Sequence, residues 1–141
     1  MQTSRIRLGA DRSELGRLAG WLTAEGARRN WAPGLVDELN LVLEELVLNT
    51  MVHGFGQSEG PAAERHIEIC LEQEQRGLEV RLTDNGTAFN PLDLAPPDTS
   101  QGVEERKVGG LGVFLARSMT SDLRYSRENG LNILTFRKET A

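Results

Sequence analysis

The segment from Pro33 to about residue 53 constrains this chain more than any other part of it. On a helix of about 100° per residue, Glu45, Asn49 and His53 fall within an arc of about 80°, stacked at i, i+4 and i+8. Leu41, Leu48 and Val52 flank that polar line on one side, and Leu39, Val42, Leu43 and Leu46 on the other. A helix that is apolar on both flanks is expected to be widely buried. A carboxylate within it is costly unless something compensates the charge.

The rest of the chain organises around this helix. Residues 5–8 alternate polar and apolar and predict a first strand, after which Asp11 or Ser13 caps a helix running to about residue 29. Leu15, Leu18, Ala19 and Leu22 supply its inward face. Trp31-Ala32-Pro33-Gly34 breaks the pattern, Pro33 suits the first turn of the second helix, and Gly54-Phe55-Gly56 ends that helix. Residues 65–73 and 78–84 read as two strands of a hairpin joined around Arg76-Gly77. Residues 87–108 contain Pro91, Pro96 and Pro97 and show no periodicity, and a connection of that length in a compact domain is usually an active-site lid or binding loop. Residues 111–119 return to helical spacing, and 123–126 with 131–137 read as a closing hairpin across Glu128-Asn129-Gly130.

No internal repeat, low-complexity tract or dividing linker interrupts residues 1–141, which predicts a single domain. A chain of this length buries roughly two thirds of the surface its unfolded form exposes. The element order predicts an α+β fold: a two-layer α/β sandwich, with a mixed sheet and the helices on one face.

Charge and composition exclude several classes. Lys and Arg number 16 against 21 Asp and Glu, a net charge of -5, and no basic stripe marks a surface for direct nucleic-acid binding. The single cysteine, Cys70, forms no internal disulfide and reads as a half-buried strand residue. No segment reaches the ~18 apolar residues of a membrane span, and Met1 to Arg7 lacks the apolar run of a secretory signal. A cytoplasmic location away from membranes is expected.

Three pieces carry chemistry. The side-chain carbonyl of Asn49 is an oxygen ligand that Mg²⁺ accepts without added charge, and Glu45 one turn away is suited to orient or deprotonate an attacking hydroxyl. A Glu45 paired with a buried arginine, an Asn49 capping a loop and a satisfied C-terminal His53 account for the same pattern. Asp84-Asn85-Gly86 ends a strand. Asn-Gly there is a hairpin signal, but the proline-bearing segment follows instead of a second strand. An acceptor-only carboxylate suits a purine exocyclic amine, and Gly86 permits close backbone approach. Gly109-Gly110-Leu111-Gly112 opens the third helix with backbone N–H groups where the dipole favours anions, although the G-x-x-x-x-G-K-[ST] form is absent. Arg106 and Lys107 just ahead add positive charge there, and also read as solvated loop residues.

In this order, Glu45-Leu46-Val47-Leu48-Asn49, Asp84-Asn85-Gly86-Thr87-Ala88-Phe89 and Gly109-Gly110-Leu111-Gly112 resemble the three boxes of a histidine-kinase-like ATPase domain. Gyrase, the Hsp90 chaperone, sensor histidine kinases and MutL share that ATP-binding fold. The chain is most similar to the anti-sigma factor serine/threonine kinases of bacteria, on Asn49-Thr50-Met51-Val52-His53-Gly54-Phe55, Phe89-Asn90-Pro91, Gly110-Leu111-Gly112-Val113-Phe114-Leu115-Ala116-Arg117 and the tail through Phe136. The resemblance covers nearly the whole chain. It implies ATP and Mg²⁺ as cofactors, with Asn49 binding the metal, Glu45 acting as base, Asp84 reading adenine and Gly86 leaving room for the ring. Gly110 and Gly112 would hold phosphates, with Gly109, Leu111, Arg106 and Lys107 beside them, and Thr135 would support Asp84.

The resemblance further implies transfer of the γ-phosphoryl group to a serine or threonine of an anti-anti-sigma antagonist protein. It also implies a sigma factor as alternate partner, and a homodimer. One position departs from the family: its active kinases often carry an arginine very close to the third-box glycines, where this chain has Val108, with Arg106 and Lys107 farther back. A non-catalytic nucleotide-binding module of the same fold, and an ATPase or detached histidine-kinase catalytic domain, stand as alternatives to the kinase.

Overall fold

The computed structural model describes residues 3–56, 64–93 and 110–140. Arg106, Lys107 and Gly109 lie outside the described residues, as do the side chain of Leu111 and most of the segment 87–108.

Five strands form one sheet: β1 (Thr3–Gly9), β2 (His66–Gln73), β3 (Gly77–Asp84), β4 (Ser121–Glu128) and β5 (Leu131–Glu139), in the order β1-β2-β3-β5-β4. The α+β, two-layer expectation holds, with one correction: all four pairings are antiparallel, so the sheet is not mixed. β4 does run in the same direction as β3, but its hairpin partner β5 inserts between them and removes the parallel contact. That hairpin turns on Asn129 (φ 52°) and Gly130 (φ 77°), the pair of positive φ values that a two-residue type I′ turn demands and that Asn-Gly supplies at low cost.

The helices are α1 (Glu14–Arg29), α2 (Pro33–Asn49) and α3 (Gly110–Met119). Neither expected cap works as one. Asp11 accepts the Ser13 N–H at 3.0 Å, Ser13 makes no side-chain cap bond, and Glu14 reaches back to accept the Gly9 N–H at 2.9 Å. α1 ends on Asn30 in the left-handed conformation (φ 58°), the role glycine usually fills, with the Trp31 N–H donating to the Gly26 carbonyl at 2.9 Å. Pro33 opens α2 as expected.

Strand alternation sends Leu8, Ile67, Ile69, Val80 and Phe136 to one face, where they meet Leu18 and Leu22 of α1 and Leu39, Val42 and Leu43 of α2. The opposite face carries Arg5, Glu68, Cys70 and Arg81, all at least partly exposed. The side of α2 that rests on the sheet is lined by Leu39, Val42, Leu43 and Leu46. Its other flank is not buried as its composition suggested: Leu41 is 41% exposed, because α1 and α3 pack beside α2 and the helix layer is one helix thick, which leaves the side away from the sheet to solvent.

Candidate functional site

α2 does not stop at Asn49 but runs into a π-helical turn, Thr50–Phe55, which the α-helical reading to residue 53 did not foresee. A π turn holds one residue more than an α turn, so His53 rotates off the line of Glu45 and Asn49. Its ring stacks instead on Phe89, with centroids 5.0 Å apart and planes 26° from parallel. The Gly54 carbonyl accepts the Thr87 N–H at 3.1 Å, so the π turn also anchors the chain just past β3.

A cavity opens between the end of α2, the π turn and the ends of β3 and β5. Leu46, Leu82, Leu134 and Pro91 supply apolar walls, and Asn49, Asp84, Tyr125 and Asn132 bring polar groups to it. The structure thus joins Asn49 and Asp84, far apart in sequence, at one site. Asn49 is 1% exposed and Asp84 7%. Glu45, one turn before Asn49, is half-buried where α3 meets α2. Burial raises the Glu45 pKa, and the neighbouring Glu44 charge raises it further.

Asp84-Asn85-Gly86 is an Asx turn rather than a hairpin. Asp84 Oδ1 accepts the Gly86 N–H at 2.9 Å. Asn85 closes the start of β2, accepting the His66 N–H at 2.9 Å and donating to the Glu64 carbonyl at 2.7 Å. A Cβ on Gly86 would meet Asp84 Oδ1, the Gly54 carbonyl carbon and the Phe55 ring, each at 3.0 Å, so the close approach expected of this glycine is made to the protein's own π turn. Burial raises the Asp84 pKa, opposed by hydrogen bonds from Asn132 and Gly86 and by the charges of Arg127 and His66.

Gly110 begins α3, and Gly112 lies against Glu45. Thr135 does not support Asp84. It pairs across the sheet with Arg81 and Arg124, whereas Asp84 shares the helix-facing side with Asn132, Leu134 and Phe136. Residues one apart in a strand point to opposite faces, and 135 has the wrong parity. The support comes from Asn132, whose Nδ2 donates to Asp84 Oδ1 at 3.0 Å. Arg127 adds a hydrogen bond from its guanidinium to the Gly86 carbonyl at 2.9 Å. The sequence holds a signal for Asn132: a polar residue in phase with Leu134 and Phe136 on an inward strand face.

The donor set fits the metal the resemblance implies. Mg²⁺ takes few protein oxygens and fills its shell with water and phosphate, and the Asn49 carboxamide, 1% exposed at the cavity, offers one such oxygen without added charge. Among the described residues no cluster of three or more His, Cys, Asp or Glu makes a self-sufficient metal cage. No described helix is long and apolar enough to cross a membrane.

The fold is similar to the structure of the RsbU and RsbW domains of Rv1364c from Mycobacterium tuberculosis, with a TM-score of 0.68 at 14% identity over 98% of this chain and 32% of that one. This chain therefore spans about a third of that mycobacterial protein. In sequence it is 31% identical over 121 residues to the serine/threonine-protein kinase BtrW of Bordetella bronchiseptica, covering 86% of this chain and 82% of the relative. It is 28% identical over 125 residues to the serine-protein kinase RsbW of Listeria monocytogenes, covering 85% and 75%. A family model described as the histidine kinase-like ATPase domain matches residues 8–138, and the chain belongs to that family.

Proposed function

We propose that this chain is an ATP- and Mg²⁺-dependent anti-sigma factor serine/threonine protein kinase that phosphorylates an anti-anti-sigma antagonist protein in a partner-switching pathway. The family and the two relatives named as kinases support this reading. The observation that carries it is Glu45, half-buried at the seam of α2 and α3 and one helical turn from the buried Asn49. Asp84 accepts the adenine amine, Asn49 contributes a metal ligand, and the N–H groups that open α3 at Gly110 and Gly112 meet the phosphates. Arg106, Lys107 and Gly109 belong to the same proposal from sequence alone.

In the transfer step the acceptor serine or threonine gives its hydroxyl proton to a Glu45 carboxylate oxygen as its own oxygen bonds to the γ-phosphorus. The bond from that phosphorus to the leaving oxygen of ADP breaks, and ADP departs. A pKa raised by burial makes Glu45 a better proton acceptor than an exposed glutamate. Bound Mg²⁺ supplies charge neutralisation on the transferred group. The cytoplasmic location and the sigma factor as alternate partner follow from the resemblance and belong to the same proposal.

The test is phosphoryl transfer from radiolabelled ATP with Mg²⁺ to the cognate antagonist, identified by co-purification in ATP and in ADP. Glu45→Gln should keep nucleotide affinity and lose label by about 10²-fold or more. A wild-type protein that binds ATP and labels no antagonist would replace the kinase with a nucleotide-responsive binding module.

A further inference from the structure

Asn132 is 5% exposed, and its carboxamide spends its full hydrogen-bonding capacity at the cavity. Oδ1 accepts from the Tyr125 hydroxyl at 2.6 Å and from the Phe89 N–H at 3.2 Å. Nδ2 donates to Asp84 Oδ1 at 3.0 Å and to the Thr87 carbonyl at 2.9 Å. Two of these partners act in one sense only: a backbone N–H donates and a backbone carbonyl accepts. The amide therefore has one orientation, and its flipped form would set carbonyl against carbonyl at Thr87 and N–H against N–H at Phe89.

Asp84 inherits that constraint. Its Oδ1 already accepts the Gly86 N–H, so the donor from Asn132 commits this oxygen to the protein. Ligand recognition then falls to Oδ2. An ionised Oδ2 accepts a hydrogen bond from an amine and repels a carbonyl.

We propose that Asn132, oriented by Tyr125, is the positioning residue that sets base specificity at this site, holding Asp84 so that it selects a 6-aminopurine over a 6-oxopurine. The inference rests on the nucleotide-binding reading above. Without the Asn132 donor, the Asp84 carboxylate loses one of the two hydrogen bonds that fix Oδ1 and support its charged form, and is held by the Gly86 N–H alone. It then takes up a proton more readily and donates it to an oxo group, and the discrimination collapses.

The test compares the affinities of Mg·ATP and Mg·ITP by calorimetry for wild type, Asn132→Leu, Asn132→Asp and Tyr125→Phe. The Asp variant keeps the shape and the two acceptor contacts of Asn132, and so remains informative if the Leu variant fails to fold. Each Asn132 variant should cut the ATP-to-ITP preference about tenfold, and Tyr125→Phe should cut it less, about threefold. A general loosening of the fold would weaken both nucleotides by one factor and leave the ratio unchanged, which would overturn the assignment. A wild-type protein that binds neither nucleotide would instead sink the nucleotide-binding reading itself, together with this inference.

Discussion

A Cβ on residue 112 would stand 2.6 Å from the Glu45 Cβ and 3.2 Å from the Glu45 carbonyl carbon, so the first turns of α3 rest directly on the turn of α2 that carries the half-buried carboxylate. Glycine at 112 is demanded by this helix-to-helix approach, independently of anything it does for a phosphate. The same contact explains why Glu45 is shielded on a helix flank that is otherwise open to solvent at Leu41.

Gly112→Ala should therefore destabilise the protein by about 1–3 kcal/mol, the usual cost of overpacking where backbone must move. Gly20, in the middle of α1, has open space around its Cβ direction. Gly20→Ala should stabilise by about 0.5–1 kcal/mol through helix propensity alone. Denaturant unfolding of the two variants should move in opposite directions, and a Gly112→Ala midpoint equal to wild type would mean that α3 and α2 accommodate a Cβ there without strain.

Glu45 makes a second prediction through pH. Its pKa is higher in the folded chain because burial and Glu44 both disfavour the charge. A carboxylate raised on folding contributes most below its unfolded value of about 4.3, and that contribution is lost as pH rises through the folded pKa. Glu45→Gln should raise Tm modestly at about pH 7 to 8, above the ordinary carboxylate range, with the gain fading near about pH 4. The effect stays small because Glu45 is only partly buried and water screens it. A Tm gain that grows on acidification would contradict the assigned direction.

Much of this site was legible in the residues, and what was missed has physical causes. Type and order of the main elements follow from apolar periodicity, and Asn129-Gly130 announces its own turn. The π turn at Thr50–Phe55 carries no periodic signature, because widening a single turn leaves composition untouched; the expected line from Glu45 to His53 fails for that reason. Thr135 was assigned by similarity of the tail, while strand parity pointed to Asn132, three residues away. Parity becomes decisive only when the register of β5 against β3 is known, and Asp84 opposite Asn132 supplies it. The expected mixed sheet is antiparallel instead because β5 lies between the like-directed β3 and β4, and nothing local in the sequence states that strand order.

The two assignments at β5 separate by mutation. Thr135 faces Arg81 and Arg124 across the side of the sheet away from the cavity. Thr135→Val should leave ATP affinity within about twofold of wild type, the scale of substitutions that touch no special feature. A loss of about tenfold would return the hydroxyl to the base site.

The cavity encloses about 20 Å³, room for one water molecule, whereas pockets for drug-sized ligands run to several hundred cubic ångströms. Phe89 and Pro91 form part of its wall, and Phe89 is held twice, by its stack on His53 and by the hydrogen bond from its N–H to Asn132. On the nucleotide-binding proposal a purine needs more room than this, and a Phe89 ring that swings away from His53 would supply it. An aromatic pair of this kind is worth about 0.5–1.5 kcal/mol, which the incoming base must offset. Phe89→Ala removes the stack while keeping the backbone N–H, and should speed association of a fluorescent ATP analogue by about two- to tenfold. Stopped-flow traces showing unchanged or slower association would mean that the ring helps to grip the base rather than to hold the pocket shut.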